Sequence, residues 1–211
     1  MPFTTLLIDL DDTVYPASSG MWDAIAGRID RYMHERMGIP SPEIPALRRD
    51  LHSRFGTTLR GLAATRAIDE LDYLAFVHDL PVADYLAPDP AVRAALGALP
   101  QRKWIFTNAD RHHAARVLAA LALEDQFDGI IDIRDIHPYC KPMPDAYRLA
   151  LRLAGADPAA TLFVDDAVRN LEAARSVGLT PVLLSTNCPP GAGFPHLPTL
   201  AGLPRLLSEL G

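Results

Sequence analysis

Residues 5–15 read Thr-Leu-Leu-Ile-Asp-Leu-Asp-Asp-Thr-Val-Tyr. The stretch opens as a strand-length apolar run, and its end carries three carboxylates, Asp9, Asp11 and Asp12. Near-continuous apolarity, rather than alternation, is the mark of a strand covered on both faces, as in a parallel sheet. Four further runs of this kind follow: residues 103–106 (KWIF), 129–133 (GIIDI), 161–164 (TLFV) and 181–184 (PVLL). Helix-length segments separate the later ones. Residues 111–123 are rich in Ala and Leu, residues 145–154 follow Pro144 and stop at Gly155, and residues 168–177 stop at Gly178. Strand and helix in alternation predict an α/β fold, a doubly wound parallel sheet.

The segment between the first two runs breaks this rhythm. Residues 14–87 contain no convincing strand. Trp22, Ile25, Ile29, Tyr32, Met33 and Arg36 recur at helical spacing, with Ser19 as the expected cap and Gly38 as the stop. Ser41-Pro42 offers a second helix start, closed by Phe55-Gly56, and further helical pieces are expected at 58–66 and 70–79. The reading is an all-helical cap, residues 14–87, inserted into a core made of residues 1–13 and 88–211. Trp22 falls in the apolar rhythm and is expected inside the cap. The tail, residues 187–198, reads as irregular, before a closing helix at 200–210.

Composition narrows the function. The chain has 211 residues, 49% hydrophobic, with 26 Asp+Glu against 20 Lys+Arg and a net charge of −6. That balance disfavours a nucleic-acid polymer as partner, because such binders rely on basic surface to release counterions. No apolar run approaches the ~20 residues that span a bilayer, so no membrane partner is expected. Cys140 and Cys188 have neither metal-ligand nor disulfide spacing. These features predict a cytoplasmic protein; they say nothing of its oligomeric state. Arginine dominates the basic residues, and Lys103 and Lys141 are the two lysines. A lysine kept in such a background invites a chemical reason.

Open parallel sheets bind ligands beyond the carboxyl ends of their strands. There the chain places Asp9, Asp11 and Asp12, then Thr107 and Asn108, then Lys141 in a connection, then Asp165 and Asp166. So many carboxylates at one edge call for a cation, and an all-oxygen set suits Mg²⁺. Asp9 and Asp11, two apart in extended chain, can face one site, one as nucleophile and the other as proton donor. A calcium loop is the wrong reading, since Val14 stands where glycine is needed and Gly20 where the bidentate Glu belongs. Adjacent His112 and His113 point to different helix faces and receive no role.

Asp9-Leu10-Asp11-Asp12-Thr13, Phe106-Thr107-Asn108-Ala109, Cys140-Lys141-Pro142 and Phe163-Val164-Asp165-Asp166 resemble, in this order, the four motifs of the haloacid dehalogenase superfamily. The resemblance covers roughly residues 3–13 and 90–185, and that superfamily places its helical cap where residues 14–87 fall. It implies Asp9 as nucleophile and Asp11 as general acid, then base. It implies that Thr107 and Asn108 hold phosphoryl oxygens and that Lys141 neutralises nucleophile and phosphate. Mg²⁺ would lie on Asp9, the Asp11 carbonyl and Asp166, with Asp165 in support. Asn170 stands where the commoner last motif has Asp. A carboxylic acid at position 11 favours a phosphatase over a dehalogenase, since halide leaves without a proton.

The stretches DLDDTVY (9–15), FGTTLRGL (55–62), FTNA (106–109) and FVDD with Asn170 are similar to pyrimidine 5′-nucleotidases. This finer resemblance implies a small phosphorylated metabolite as partner, with pyrimidine nucleoside 5′-monophosphates as substrates, Tyr15 at the boundary of cap and core, and Thr58 and Arg60 in a turn facing the substrate. The rivals are a phosphatase for phosphoglycolate or a sugar phosphate and, more remotely, a phospho-aspartate switch or binding protein. In a switch of the receiver type, however, the second acidic pair would not follow the lysine.

Overall fold

The computed structural model describes residues 3–187, 191 and 193–210; Cys188 lies outside them. β1 (Thr5–Ile8) is buried at every position. After it come four helices without an intervening strand: α1 (Met21–Glu35), α2 (Ile44–Phe55), α3 (Thr58–Thr65) and α4 (Glu70–Val77). Then α5 (Pro90–Gly97), β2 (Arg102–Phe106), α6 (Arg111–Ala120), β3 (Gly129–Ile131), α7 (Pro144–Ala154), β4 (Thr161–Asp165), α8 (Val168–Ser176) and β5 (Thr180–Leu184) alternate. β6 (His196–Leu197) and α9 (Leu203–Leu210) close the described chain.

The strands form one parallel sheet in the order β3-β2-β1-β4-β5-β6. β1 is central, so its carboxyl end sits between those of β2 and β4. Both faces are covered, and the side-chain period of two divides the core accordingly. Leu6, Ile8, Ile105, Leu162, Val164 and Val182 join the core that also holds the buried residues of α1 to α4. Leu7, Phe106, Ile131, Phe163 and Leu183 pack on the other side against Tyr147, Ala150 and Leu171 of α7 and α8.

Details depart from the sequence reading. Residues 132 and 133 lie beyond the end of β3, because the Asp132 carboxylate turns the chain by accepting from the backbone N–H groups of Arg134 and Asp135. α1 is capped by Gly20 in the left-handed region rather than by Ser19, whose hydroxyl accepts only from Met21 N–H. α2 starts at Ile44 after a short 3-10 turn over Ser41–Glu43. The tail contains a two-residue strand, β6, paired with β5.

Two of the contacts that tie the helices of the insertion to the sheet side involve Gly56 and Arg60. Gly56, with φ +85°, lets the turn after α2 approach the loop of Lys141 closely; a Cβ there would lie 2.8 Å from Cys140 Sγ. Arg60 is the second. Expected to face the substrate, it is instead buried, donating from NH2 to the Ile133 carbonyl (2.6 Å), from Nε to that of Tyr139 (3.3 Å) and from NH1 to Glu70 (2.7 Å). Its planar fork matches those acceptors, and replacing it with Ala would strand them. Arg60→Ala is therefore expected to lower stability by about 2–4 kcal/mol in urea unfolding, with no selective loss toward one substrate class.

Candidate active site

The carboxyl ends of β1, β2 and β4 open into a cleft of about 580 Å³ floored by Asp9, Asp11, Asp12, Thr107, Asn108, Lys141 and Asp166. β1 delivers the first group. Asp9 N–H still bonds the Val164 carbonyl, so Asp9 leaves the sheet in strand register. Immediately after it the chain turns: Thr13 and Val14 N–H both bond the Leu10 carbonyl, and Asp12 takes φ +58°. That turn brings Asp11 and Asp12 beside Asp9 instead of running on as strand.

Lys141 is the electrostatic centre. Its Nζ lies 2.6 Å from Asp9 Oδ1 and 2.8 Å from Asp165 Oδ2, and the side chain is almost without solvent. The ammonium also sits over the rings of Phe106 (5.3 Å) and Phe163 (5.5 Å). Burial acts to discharge it, yet Asp165 and Asp9 outweigh burial and hold the lysine's pKa above its ordinary value. Its backbone is fixed as well. The side-chain amide of Asn108 donates to the Lys141 carbonyl (3.0 Å) and accepts from its N–H (2.8 Å). Asn108 was expected to hold a phosphoryl oxygen; it lines the cleft, but its amide clasps the lysine.

Asp165 is wholly buried, and both of its oxygens are taken. Oδ2 faces Lys141, and the Asn170 amide donates to both oxygens at 2.9 and 3.1 Å. Asn at position 170 can supply that N–H, where an ionised Asp could only repel. Asp166, by contrast, is exposed toward the cleft. Burial and then the charge of Asp165 raise its pKa to about 6. Asp9 is pushed up chiefly by burial, against the opposing pull of Lys141.

Carboxylate oxygens of Asp9, Asp165 and Asp166 lie within 4.8 Å of one another. One ammonium against these three carboxylates leaves two negative charges without a counterion. Asp12 adds to the excess: its Oδ1 is buried with no partner, and its pKa is raised to about 6 by burial and the charge of Asp166. The donor set, all oxygen and doubly negative in excess, fits a hard divalent cation.

Thr107 is fully buried in its backbone, its N–H on the Ile131 carbonyl, and its Oγ1 accepts from Ala109 N–H (2.9 Å), leaving the hydroxyl proton for the cleft. Tyr15 does not line the cleft; it is buried and donates to Asp11 Oδ1 at 2.6 Å. Thr58 does line it. So does Trp22, which is 43% exposed and not part of the core that its helical rhythm suggested. Arg48, Arg49, His52 and Arg169 complete the rim. His113, given no role from sequence, is entirely buried with Nε2 3.0 Å from Asp11 Oδ1. No sequence signal marks it, since the neighbour that decides its role is 102 residues away.

The family described as haloacid dehalogenase-like hydrolase matches residues 3–178 of the chain. The chain belongs to this family. Phosphate metabolism protein 8 of Saccharomyces cerevisiae is 30% identical over 190 residues, which is 83% of this chain and 59% of that protein. The chain thus spans about three fifths of the length of that curated relative. Among solved structures, the fold is similar to a putative β-phosphoglucomutase from Thermotoga maritima (TM-score 0.64, 20% identity, 99% of this chain and 100% of that one). It is also similar to L-2-haloacid dehalogenase from Xanthobacter autotrophicus (TM-score 0.62, 19% identity, 99% and 100%). At those identities the likeness is one of fold alone, shared by relatives of different chemistry. No described helix of this hydrolase is long and apolar enough to cross a membrane.

The raised Asp166 value has a consequence for stability. Its folded pKa, about 6, lies above the ordinary 3.8, so the folded metal-free protein resists ionisation there. That penalty is present in full above about pH 6 and vanishes as pH falls through 3.8. Asp166→Asn should therefore stabilise the metal-free protein at pH 7.5, by about 1 kcal/mol after solvent screening. The gain should shrink below pH 6; thermal melts in EDTA across that range measure it.

Proposed function

We propose that the protein is a Mg²⁺-dependent phosphomonoester hydrolase working through an aspartyl-phosphate, and that its substrates are pyrimidine nucleoside 5′-monophosphates. The observation that carries the first part is the Asp9–Lys141–Asp165 ion cluster at the floor of the cleft, with Asp11 beside it.

Asp9 Oδ1 is held by Lys141, which orients the carboxylate and leaves Oδ2 as the attacking oxygen. Attack forms an Oδ–P bond as the P–O bond to the leaving alcohol breaks. Asp11 gives its proton to the departing alkoxide oxygen, which poor leaving groups require. Water then attacks phosphorus, gives a proton to Asp11 and releases phosphate as the bond to Asp9 breaks. Lys141 and the Thr107 hydroxyl stabilise charge on the phosphoryl oxygens. Mg²⁺, held by Asp9, Asp166 and the Asp11 carbonyl, would neutralise phosphoryl charge that these carboxylates otherwise repel. An acid at Asp11 favours ester hydrolysis over dehalogenation, because a halide leaves without a proton.

The nucleotide reading rests on the rim. Trp22 lines the same cleft as Asp9 with 43% of its surface exposed, an aromatic residue of the kind that stacks on a planar base, and the cleft volume lies within the range of small-ligand sites. Arg49 carries a cation at the rim, with no side-chain hydrogen bond or ion pair among the described residues. The experiment is a phosphomonoester panel with Mg²⁺. UMP, CMP and dTMP are expected to be hydrolysed faster than AMP, GMP, phosphoglycolate and sugar phosphates; a clear win for any of the latter removes the nucleotide assignment and leaves the phosphatase.

Asp9→Asn should lower kcat by at least about 10³-fold while the circular dichroism spectrum is unchanged. Trp22→Ala should raise KM for UMP about 5-fold, the worth of one aromatic stack, and leave KM for p-nitrophenyl phosphate alone. EDTA should abolish turnover and Mg²⁺ restore it.

A further inference from the structure

His113 lies in the first turn of α6 and has no solvent-exposed surface. Its Nε2 is 3.0 Å from Asp11 Oδ1, the same oxygen that accepts the Tyr15 hydroxyl at 2.6 Å. The ring of His78, from the end of α4, stacks on the imidazole with centroids 4.3 Å apart and planes 17° from parallel. Asp110 reaches both residues: its Oδ1 accepts the backbone N–H of His113 at 2.9 Å as the helix cap, and its Oδ2 meets His78 Nδ1 at 2.5 Å. Nothing in the proposed chemistry explains two buried histidines stacked behind the second aspartate.

The tautomer follows from the partners. His113 Nδ1 is buried with no hydrogen-bond partner, whereas Nε2 faces a carboxylate oxygen. A neutral ring places its one N–H on Nε2, since the other tautomer would set a lone pair against Oδ1 and strand the proton on Nδ1. Oδ1 of Asp11 therefore accepts two donors from different directions. Oδ2 has no hydrogen-bond partner among the described residues and is the oxygen available to a substrate. An aspartate's terminal torsion is otherwise broad and two-fold, so one donor leaves the carboxylate free to swivel, whereas two fix its plane. Proton transfer demands hydrogen-bond reach and alignment, which makes that plane matter for rate.

We propose that His113, braced by His78 and Asp110, is a positioning residue that fixes the Asp11 carboxylate plane and so sets Oδ2 for proton transfer to the leaving group. The proposal rests on the reading of Asp11 as general acid. It assigns the helix-end histidine of the insertion, His78, a share in orienting the acid through the stack.

The test uses the full chain with Mg²⁺ and a series of para-substituted phenyl phosphates, from p-nitrophenyl to unsubstituted phenyl, so that it does not depend on the natural substrate. His113→Ala is expected to lower kcat for phenyl phosphate about 10- to 100-fold and for p-nitrophenyl phosphate less than about 3-fold, with KM for both nearly constant. His113→Gln, whose amide nitrogen reaches the place of Nε2, should restore most of the loss, and His113→Asn, which is too short, should not. If the Ala variant does not fold, the contrast of Gln with Asn carries the same reading. Asp11→Asn is run alongside and should show the steepest dependence on leaving group. Equal losses on both esters in His113→Ala, or Gln and Asn behaving alike, would overturn the positioning role while Asp11 stands as acid. A flat dependence in Asp11→Asn itself would overturn the acid reading and this proposal with it.

Discussion

The Lys141 ammonium lies between Asp9 and Asp165 in a position almost closed to solvent, and the surrounding architecture is organised to make that tolerable. A buried ion is costly unless it is paired and further hydrogen-bonded. Here every neighbouring element contributes. β1 brings Asp9 and β4 brings Asp165. The Asn108 amide after β2 clasps the lysine backbone, and Asn170 on α8 occupies the lone pairs of Asp165 that Lys141 leaves over. Phe106 and Phe163 present ring faces to the ammonium from the sheet below. Because β1 is central, these groups converge at one point, which no edge strand could achieve. The excess of negative charge that remains is the feature a divalent cation would balance.

Legibility in the sequence followed the range of the interactions. The parallel sheet was readable because strands covered on both faces are largely apolar, and five such runs stand in the sequence. β6 was not, because two residues carry no periodicity and its pairing with β5 is set by the tail's return. Asp9, Asp11, Thr107, Lys141 and Asp166 come together at the cleft floor because strand ends in such a sheet share an edge. Arg60 lies away from the cleft, and Asn108 reaches it with its side-chain amide engaged. Their residue types suit anion binding, but a side-chain amide or guanidinium also satisfies backbone groups, and here the carbonyls of Lys141, Ile133 and Tyr139 claim them. Trp22 shares the helical rhythm of Ile25 and Ile29, yet it sits at the margin of the apolar stripe, and rhythm alone cannot tell the margin from the centre. His113 depends on a partner 102 residues distant, a relation absent from any local pattern.

The insertion does more than roof the cleft. Its four helices have their own apolar interior, in which Tyr32 meets Tyr73 and Phe76 edge to face. Yet that interior is continuous with one face of the sheet, so the same buried cluster holds residues of α1 and of β1. Arg60 and Gly56 fasten the insertion to the loops after β3 and around Lys141, the latter being the loop that presents the ammonium. The floor of the cleft is thus built from strand ends and the rim from helices that are anchored near, but not in, the ion cluster.

That division separates two physical demands. Phosphoryl chemistry of the proposed kind would need fixed charges in a dry floor, and the floor offers groups with several bonds each: Lys141, Asp165 and Asn108. Recognition of a leaving group would need shape and a few polar contacts, and the rim offers Trp22 and a set of arginines. Asp11 is the point at which the halves meet. It belongs to the β1 turn by chain, but the histidine stack that meets its Oδ1 begins at the end of α4, inside the insertion. Asp9 is reached from the insertion by a separate route: its partner Lys141 sits in the loop that Gly56 approaches and whose Tyr139 carbonyl Arg60 holds.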